Sequence, residues 1–278
     1  MTQWSFGLKI LLAGIINTPK TQHTIEYIKN SSLGVLHSVL NEPKKIEKYD
    51  LGNFLIVDSG AHSWNKLTIQ KFGHGQRKNL PDPIEFYKSY AEFIEKHKNK
   101  PFTFVELDIY GVLKKDIIDD FYKQISSIKG NHKFIRVYHP IIDDGKLIEL
   151  KKWIDQGQDY IGIGNDSRSI LNNVFKITKN NIKLHGFAMT SKILMEKYPF
   201  YTCDSTTWLS GAMYSDFYDD KKLKIKSLSH LKKNKDINII NTRKFNTNYG
   251  VNHLRVIGMQ KLQNYINKLW QQRGITWE

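Results

Sequence analysis

Three largely apolar runs in this chain each deliver a carboxylate at their end. Phe54–Val57 leads into Asp58, Ser59 and Gly60; Phe102–Val105 leads into Glu106, Leu107 and Asp108; Phe200–Cys203 leads into Asp204 and Ser205. An Asp-Ser-Gly triplet alone is ordinary turn material. Its recurrence in kind, a buried run that ends on an acid, points to chemistry instead. Adjacent strand residues face opposite sides, so Glu106 and Asp108 are expected to share one direction while Leu107 takes the other. Several carboxylates facing one pocket suit a divalent metal, or paired acid/base and nucleophilic work at a sugar anomeric carbon. His62, His139 and His185 are scattered, without His-x-His or His-Glu-x-x-His spacing, which weakens a metal centre. A metal-dependent hydrolase with Asp58, Asp108, His185 and Asp204 as ligands stays open at this point.

Positioning those acids requires strands buried on both faces, as in parallel sheets, where the carboxyl edge gathers the active-site loops. The apolar runs predict eight of them: 8–14, 34–40, 54–58, 102–109, 133–140, 160–164, 183–189 and 200–204. Helical spacing falls between them over 19–29, 84–96, 115–128, 146–156 and 169–178, with a closing helix over 251–271 carrying Leu254, Ile257, Tyr265, Ile266 and Leu269. Tyr87 and Tyr90 belong to a core-facing stripe. The eightfold β-then-α succession predicts a (β/α)8 TIM barrel in one domain, with an open doubly wound sheet as the alternative. Its carboxyl edge would gather Asp58, Glu106 or Asp108, Tyr138, His139, Gly162, Gly164, His185 and Asp204. The polar stretch 64–83 has the length of a lid or binding loop.

After the eighth strand the repeat breaks. Leu223–Leu228 and Ile237–Arg243 alternate like the arms of a β-hairpin, so 221–244 reads as a basic insertion before the last helix. Lys222, Lys224, Lys226, Lys232 and Lys233 would offer it to phosphates. The whole chain agrees in sign: 42 Lys and Arg against 27 Asp and Glu give +15, which favours a nucleic-acid partner. The single cysteine, Cys203, excludes an internal disulfide and a multi-cysteine zinc site, and suits a reducing cytoplasm. No run approaches the roughly 20 apolar residues of a membrane span, so no membrane partner is expected.

The set Asp58-Ser59-Gly60-Ala61, Glu106-Leu107-Asp108, Gly162-Ile163-Gly164, Leu184-His185-Gly186 and Cys203-Asp204-Ser205 resembles the tRNA-guanine transglycosylase superfamily. It is nearest to the shorter phage relatives that insert 7-deazaguanine bases into DNA. The likeness runs from the third to the eighth strand. It implies base exchange on a (β/α)8 barrel without a cofactor. Asp204 matches the nucleophile that attacks C1′ of the target guanosine, and Asp58 the acid/base for the departing and entering bases. Ser59 and Gly60 match the base-binding segment, and Asp108 the acceptor for the guanine N–H edge. Gly162 and Gly164 match the glycine strand against the base, and His185 with Gly186 the position of a side chain over it.

The sequence also departs from that pattern. The zinc site of three cysteines and a histidine is absent, Ala61 and His62 replace a glycine and an aromatic, and Ser205–Trp208 replaces a Thr-Arg pair. With no separate RNA-binding domain expected, these departures and the basic hairpin favour DNA over tRNA. The identity of the 7-deazaguanine, and any accessory protein, are left open.

Overall fold

A computed structural model of the chain describes residues 7–15, 22–40, 46, 54–62, 81–209, 216–219, 224–227 and 248–277. Its strands are β1 (Lys9–Ala13), β2 (Gly34–Ser38), β3 (Leu55–Asp58), β4 (Thr103–Val105), β5 (Lys133–Tyr138), β6 (Tyr160–Ile163), β7 (Lys183–Gly186) and β8 (Thr202–Ser205). They close in chain order into an eight-stranded barrel. The helices are α1 (Gln22–Asn30), α2 (Pro83–His97), α3 (Lys115–Ser126), α4 (Ile148–Asp155), α5 (Leu171–Thr178), α6 (Lys192–Lys197) and α7 (Asn248–Gln272). The expected (β/α)8 TIM barrel is the fold observed, and the open sheet is excluded by closure. No described helix is long and apolar enough to cross a membrane.

Two compact units make up the chain: residues 1–35, 50–54 and 186–278, and residues 36–49 and 55–185. In the first, β1 pairs in parallel with β8, setting Leu11 opposite Asp204. Helix α7 supports β1 with polar side chains: Gln263 accepts from the Ile10 N–H at 2.6 Å and donates to Ser32, while Asn267 donates to the Leu8 carbonyl. The buried face of α7 is therefore Arg255, Val256, Met259, Leu262, Gln263 and Ile266, while Tyr265 is exposed. Of the expected stripe, Ile266 is buried, Ile257 and Leu269 are half-buried and Tyr265 is exposed, while the side chain of Leu254 lies outside the described residues. Gln263 and Arg255 are buried because they satisfy backbone groups, Arg255 at the Thr207 carbonyl.

The insertion before α7 contains a two-stranded antiparallel sheet, β9 (Asp216–Asp219) with β10 (Lys224–Ser227), in which Lys224 stands opposite Asp219. Strand β10 lies where a basic arm was expected, and its partner among the described residues is the upstream segment Asp216–Asp219. Period-two alternation identifies a strand without choosing its neighbour, and a short upstream connection costs less closure entropy than a longer one. Lys222, Lys232, Lys233, the stretch 237–243 and the loop 64–80 lie outside the described residues.

The second unit holds β3 to β6 in parallel register, with Ile56 opposite Thr103, Phe104 opposite Phe134 and Val137 opposite Gly162. Helix α2 starts where the Asp82 side chain accepts from the Ile84 and Glu85 N–H groups, with Pro83 in the first turn. Its buried stripe includes Phe86, Tyr87, Tyr90 and Ile94. Tyr90 does more than pack. Its hydroxyl lies 2.7 Å from the Val105 carbonyl and 3.3 Å from that of Val57, and so joins the last turns of β3 and β4. Tyr90→Phe keeps the ring and strands these carbonyls, and is expected to lower unfolding stability by about 1–2 kcal/mol. Urea denaturation checks this; an unchanged midpoint would show that the hydroxyl is not a strut.

Candidate functional site

Asp58 ends β3, half-buried, and its Oδ2 accepts the Gly60 N–H at 3.1 Å, which closes a tight turn. Gly60 has φ +87°, and a Cβ there would meet Leu40 Cβ at 2.6 Å and Ser38 Oγ at 2.7 Å. Both the conformation and the space demand glycine. Ser59 is fully buried and donates its hydroxyl to the Glu106 carbonyl at 2.8 Å. Its described task is thus to tie the end of β3 to the segment after β4.

Strand β4 ends at Val105, and the Ile109 N–H turns back to the Leu107 carbonyl. Strand alternation therefore does not govern Glu106 and Asp108, and their partners differ. Glu106 is 1% exposed; its Oε1 accepts the Val137 N–H at 2.6 Å. Its Oε2 lies 3.6 Å from Arg136 Nε, beyond hydrogen-bond reach. Arg136 turns Nη2 to Asp119 of α3 and lays its guanidinium 4.0 Å from the Trp153 ring centroid. Burial raises the Glu106 carboxyl to about 8, against the opposing pull of Arg136. This acid faces Arg136, not the group of acids and imidazole formed by Asp108.

Asp108 Oδ2 meets His139 Nε2 at 2.7 Å, and His139 Nδ1 meets Asp166 Oδ2 at 3.1 Å. The imidazole at the end of β5 thus bridges acids that follow β4 and β6. Burial opposes its charge, but hydrogen bonds and the charges of Asp108 and Asp166 outweigh that and raise His139 to about 10. Both ring nitrogens then donate at neutral pH. Gly162 is buried within β6, and Gly164 follows it. A Cβ on Gly164 would press on His139 Cε1 at 3.1 Å and on Asp166 Oδ1. The glycine is required by this bridge. Tyr110 sets its ring edgewise to His139 at 5.9 Å, and its buried hydroxyl makes no hydrogen bond among the described residues.

The other unit carries Gly186, at the end of β7, and Asp204, within β8. Asp204 Oδ1 accepts the Ala188 N–H at 2.9 Å. Ala188 has φ +54°, a left-handed conformation that costs a non-glycine residue about 1–2 kcal/mol. Strain is thus used to aim a donor at a carboxylate. Gly186 allows Met189, Phe200 and Cys203 to approach within 3.0–3.2 Å of where a Cβ would stand. Burial, then the charge of Asp204, raises the Cys203 thiol well above its ordinary value, so it is no thiolate nucleophile. His185, on β7, is 0% exposed and offers no open ring face for stacking.

Sequence reasoning missed Asp166, Tyr110 and Arg136. Asp166 had a signal: an acid two residues beyond Gly164, at the same strand edge as the other acids. Among the described residues, no group of three or more His, Cys, Asp or Glu is arranged to hold a metal ion. A cleft beside α3 and α4 is lined by Asp119, Tyr122, Arg136, Trp153 and Gln158, and neither Asp58 nor Asp108 lines it.

No protein-family model matches the chain, and no curated protein matches it. Among solved structures, it is similar to orotidine 5′-monophosphate decarboxylase from Sulfolobus solfataricus, with 13% identity, 96% of this chain and 99% of that chain covered, and a TM-score of 0.45. It is also similar to QR15, an aldolase, with 15% identity, 74% of this chain and 93% of that chain covered, and a TM-score of 0.42. The chemistry has to be argued from this chain's own residues.

Glu106 generates a stability prediction. Between about pH 4.5 and 8 the unfolded chain has released this proton and the folded chain keeps it, so stability falls as pH rises through that window. Glu106→Gln keeps the acceptor for Val137 and abolishes the titration. Urea midpoints at about pH 5 and about pH 8 should differ less in the variant than in the wild type. An equal fall in both would locate the pH dependence elsewhere.

Proposed function

We propose that this barrel exchanges guanine in nucleic acid, DNA in preference to tRNA, for a 7-deazaguanine base through a covalent glycosyl-aspartate. The observation that carries the reading is Asp204. A carboxylate on the last barrel strand has one oxygen fixed by the Ala188 N–H, donated from a strained backbone. A nucleophile needs such orientation before the sugar arrives.

In this reading an Asp204 oxygen attacks C1′ as the C1′–N9 bond breaks, and the electron pair leaves with guanine. Asp58 supplies the proton that neutralises the departing base. It then takes the N9 proton of the incoming 7-deazaguanine, whose nitrogen attacks C1′ and releases the Asp204 carboxylate. Asp108 accepts from the guanine N–H edge. The net charge of +15 supports a polyanionic substrate, and Lys224 and Lys226 in β10 supply part of it.

The test is incorporation of a labelled 7-deazaguanine into duplex DNA and, in parallel, into tRNA. Wild-type protein is expected to label DNA faster. Asp204→Asn should abolish incorporation, because an amide is a far poorer nucleophile. Asp58→Asn should slow it by roughly 100- to 10,000-fold, the usual contribution of a general acid/base. Undiminished labelling by Asp204→Asn would overturn the reading, and exclusive labelling of tRNA would reverse the substrate preference.

A further inference from the structure

We infer that His139 is a positioning residue: held as an imidazolium by Asp166, it fixes the Asp108 carboxylate in the orientation that receives the base. The role rests on the reading of Asp108 as the acceptor for the guanine N–H edge.

The geometry carries it. Nε2 of His139 reaches Asp108 Oδ2 at 2.7 Å, and Nδ1 reaches Asp166 Oδ2 at 3.1 Å, so each ring nitrogen has its own carboxylate. A neutral imidazole has one N–H and would leave one of these contacts as an oxygen facing a lone pair. The imidazolium satisfies both. Side-chain exposure differs along the bridge, 12% for Asp108, 16% for His139 and 54% for Asp166. Asp166 is therefore the solvent-facing support, and Asp108 the guarded end.

The surroundings add to the constraint. Gly164 leaves out the Cβ that would collide with the His139 ring, and Tyr110 borders the ring from the segment after β4. The titratable groups that face His139 are Asp108 and Tyr110 after β4 and Asp166 after β6, while Glu106, turned to Arg136, acts on the ring only through its charge. A carboxylate whose one oxygen is held by a fixed cation has lost the rotation about its own axis. It can present a set edge to a planar donor array, such as the N1–H and 2-amino group of guanine. Ordering is then in place before binding, which lowers its entropic cost.

Two readouts test the inference. The first is the histidine imidazole NMR spectrum of the ligand-free protein. At about pH 8 the His139 resonances are expected to show both nitrogens protonated, and in Asp166→Asn they should titrate nearer to the ordinary histidine range, about 6.5. A neutral His139 at that pH in the wild type would overturn the proposal, whatever the base assays show. The second is the KM for 7-deazaguanine. From about pH 6 to 8.5 it should be flat in the wild type. In Asp166→Asn it should rise roughly tenfold as His139 loses its proton, with kcat changed far less. His139→Gln should have the raised KM at every pH. A purely structural role would give no pH-dependent KM in Asp166→Asn, and that result would also overturn the proposal. Asp108→Asn separates the two claims. If it recognises the base as well as the wild type does, the reading of Asp108 has failed; if it loses the base while Asp166→Asn keeps a flat KM, the clamp alone has failed.

Discussion

Strands buried on both faces leave most ionisable side chains room where the strands end, and the candidate site follows from that constraint; Arg136, buried within β5, is accommodated by its pairing with Asp119. The buried residues Ile56, Val57, Phe104, Val105, Ile135, Val137 and Tyr160–Ile163 supply the core of one unit, and each strand hands its chain to a polar group at its carboxyl edge. Asp58, Asp108, His139 and Asp166 all stand there. The strands themselves are tied at that edge by hydroxyls, with Tyr90 donating to the Val57 and Val105 carbonyls and Ser59 to the Glu106 carbonyl. The scaffold's last hydrogen bonds and the candidate site are thus contiguous.

Two buried acids two positions apart have different partners. Glu106 turns towards Arg136, whose charge is shared with Asp119, and burial therefore keeps its proton on to about pH 8. Asp108 has the His139 imidazole on one oxygen, and the other ring nitrogen of that imidazole is held by Asp166. Asp204, in the other unit, receives a backbone donor from Ala188 at a conformational cost. A backbone donor on a strained turn cannot swing away as a side chain can, so the carboxylate is held without mobile parts.

The barrel was legible in the sequence because short apolar runs bounded by glycines and acids recur at regular intervals, and burial on both faces leaves them little alternation to confuse. The acids Asp58, Asp108 and Asp204 were legible for the same reason. Less could be read where local pattern meets long-range pairing. The shared direction of Glu106 and Asp108 assumed a strand through residue 108, whereas β4 ends at Val105, the Glu106 N–H makes a last bond to the Ile135 carbonyl, and a tight turn follows. The partner of Lys224–Ser227 is Asp216–Asp219, a segment whose mixed acidic and aromatic composition carries no clear strand signal. Gln263 and Arg255 were not among the expected stripe residues, because nothing in their neighbours announces the backbone groups they satisfy. His139 and Asp166 lie 27 positions apart, and only the barrel brings them together.

The central claim is that Asp204 forms a bond to the sugar. The most direct measurement is peptide mapping of the protein after reaction with a guanine-containing DNA oligonucleotide, without incoming base, followed by acid quench and proteolysis. The account predicts that the oligonucleotide is linked to the peptide that contains Asp204, with free guanine released in equal amount. Linkage to the peptide that contains Asp58, or to any other residue, would contradict it.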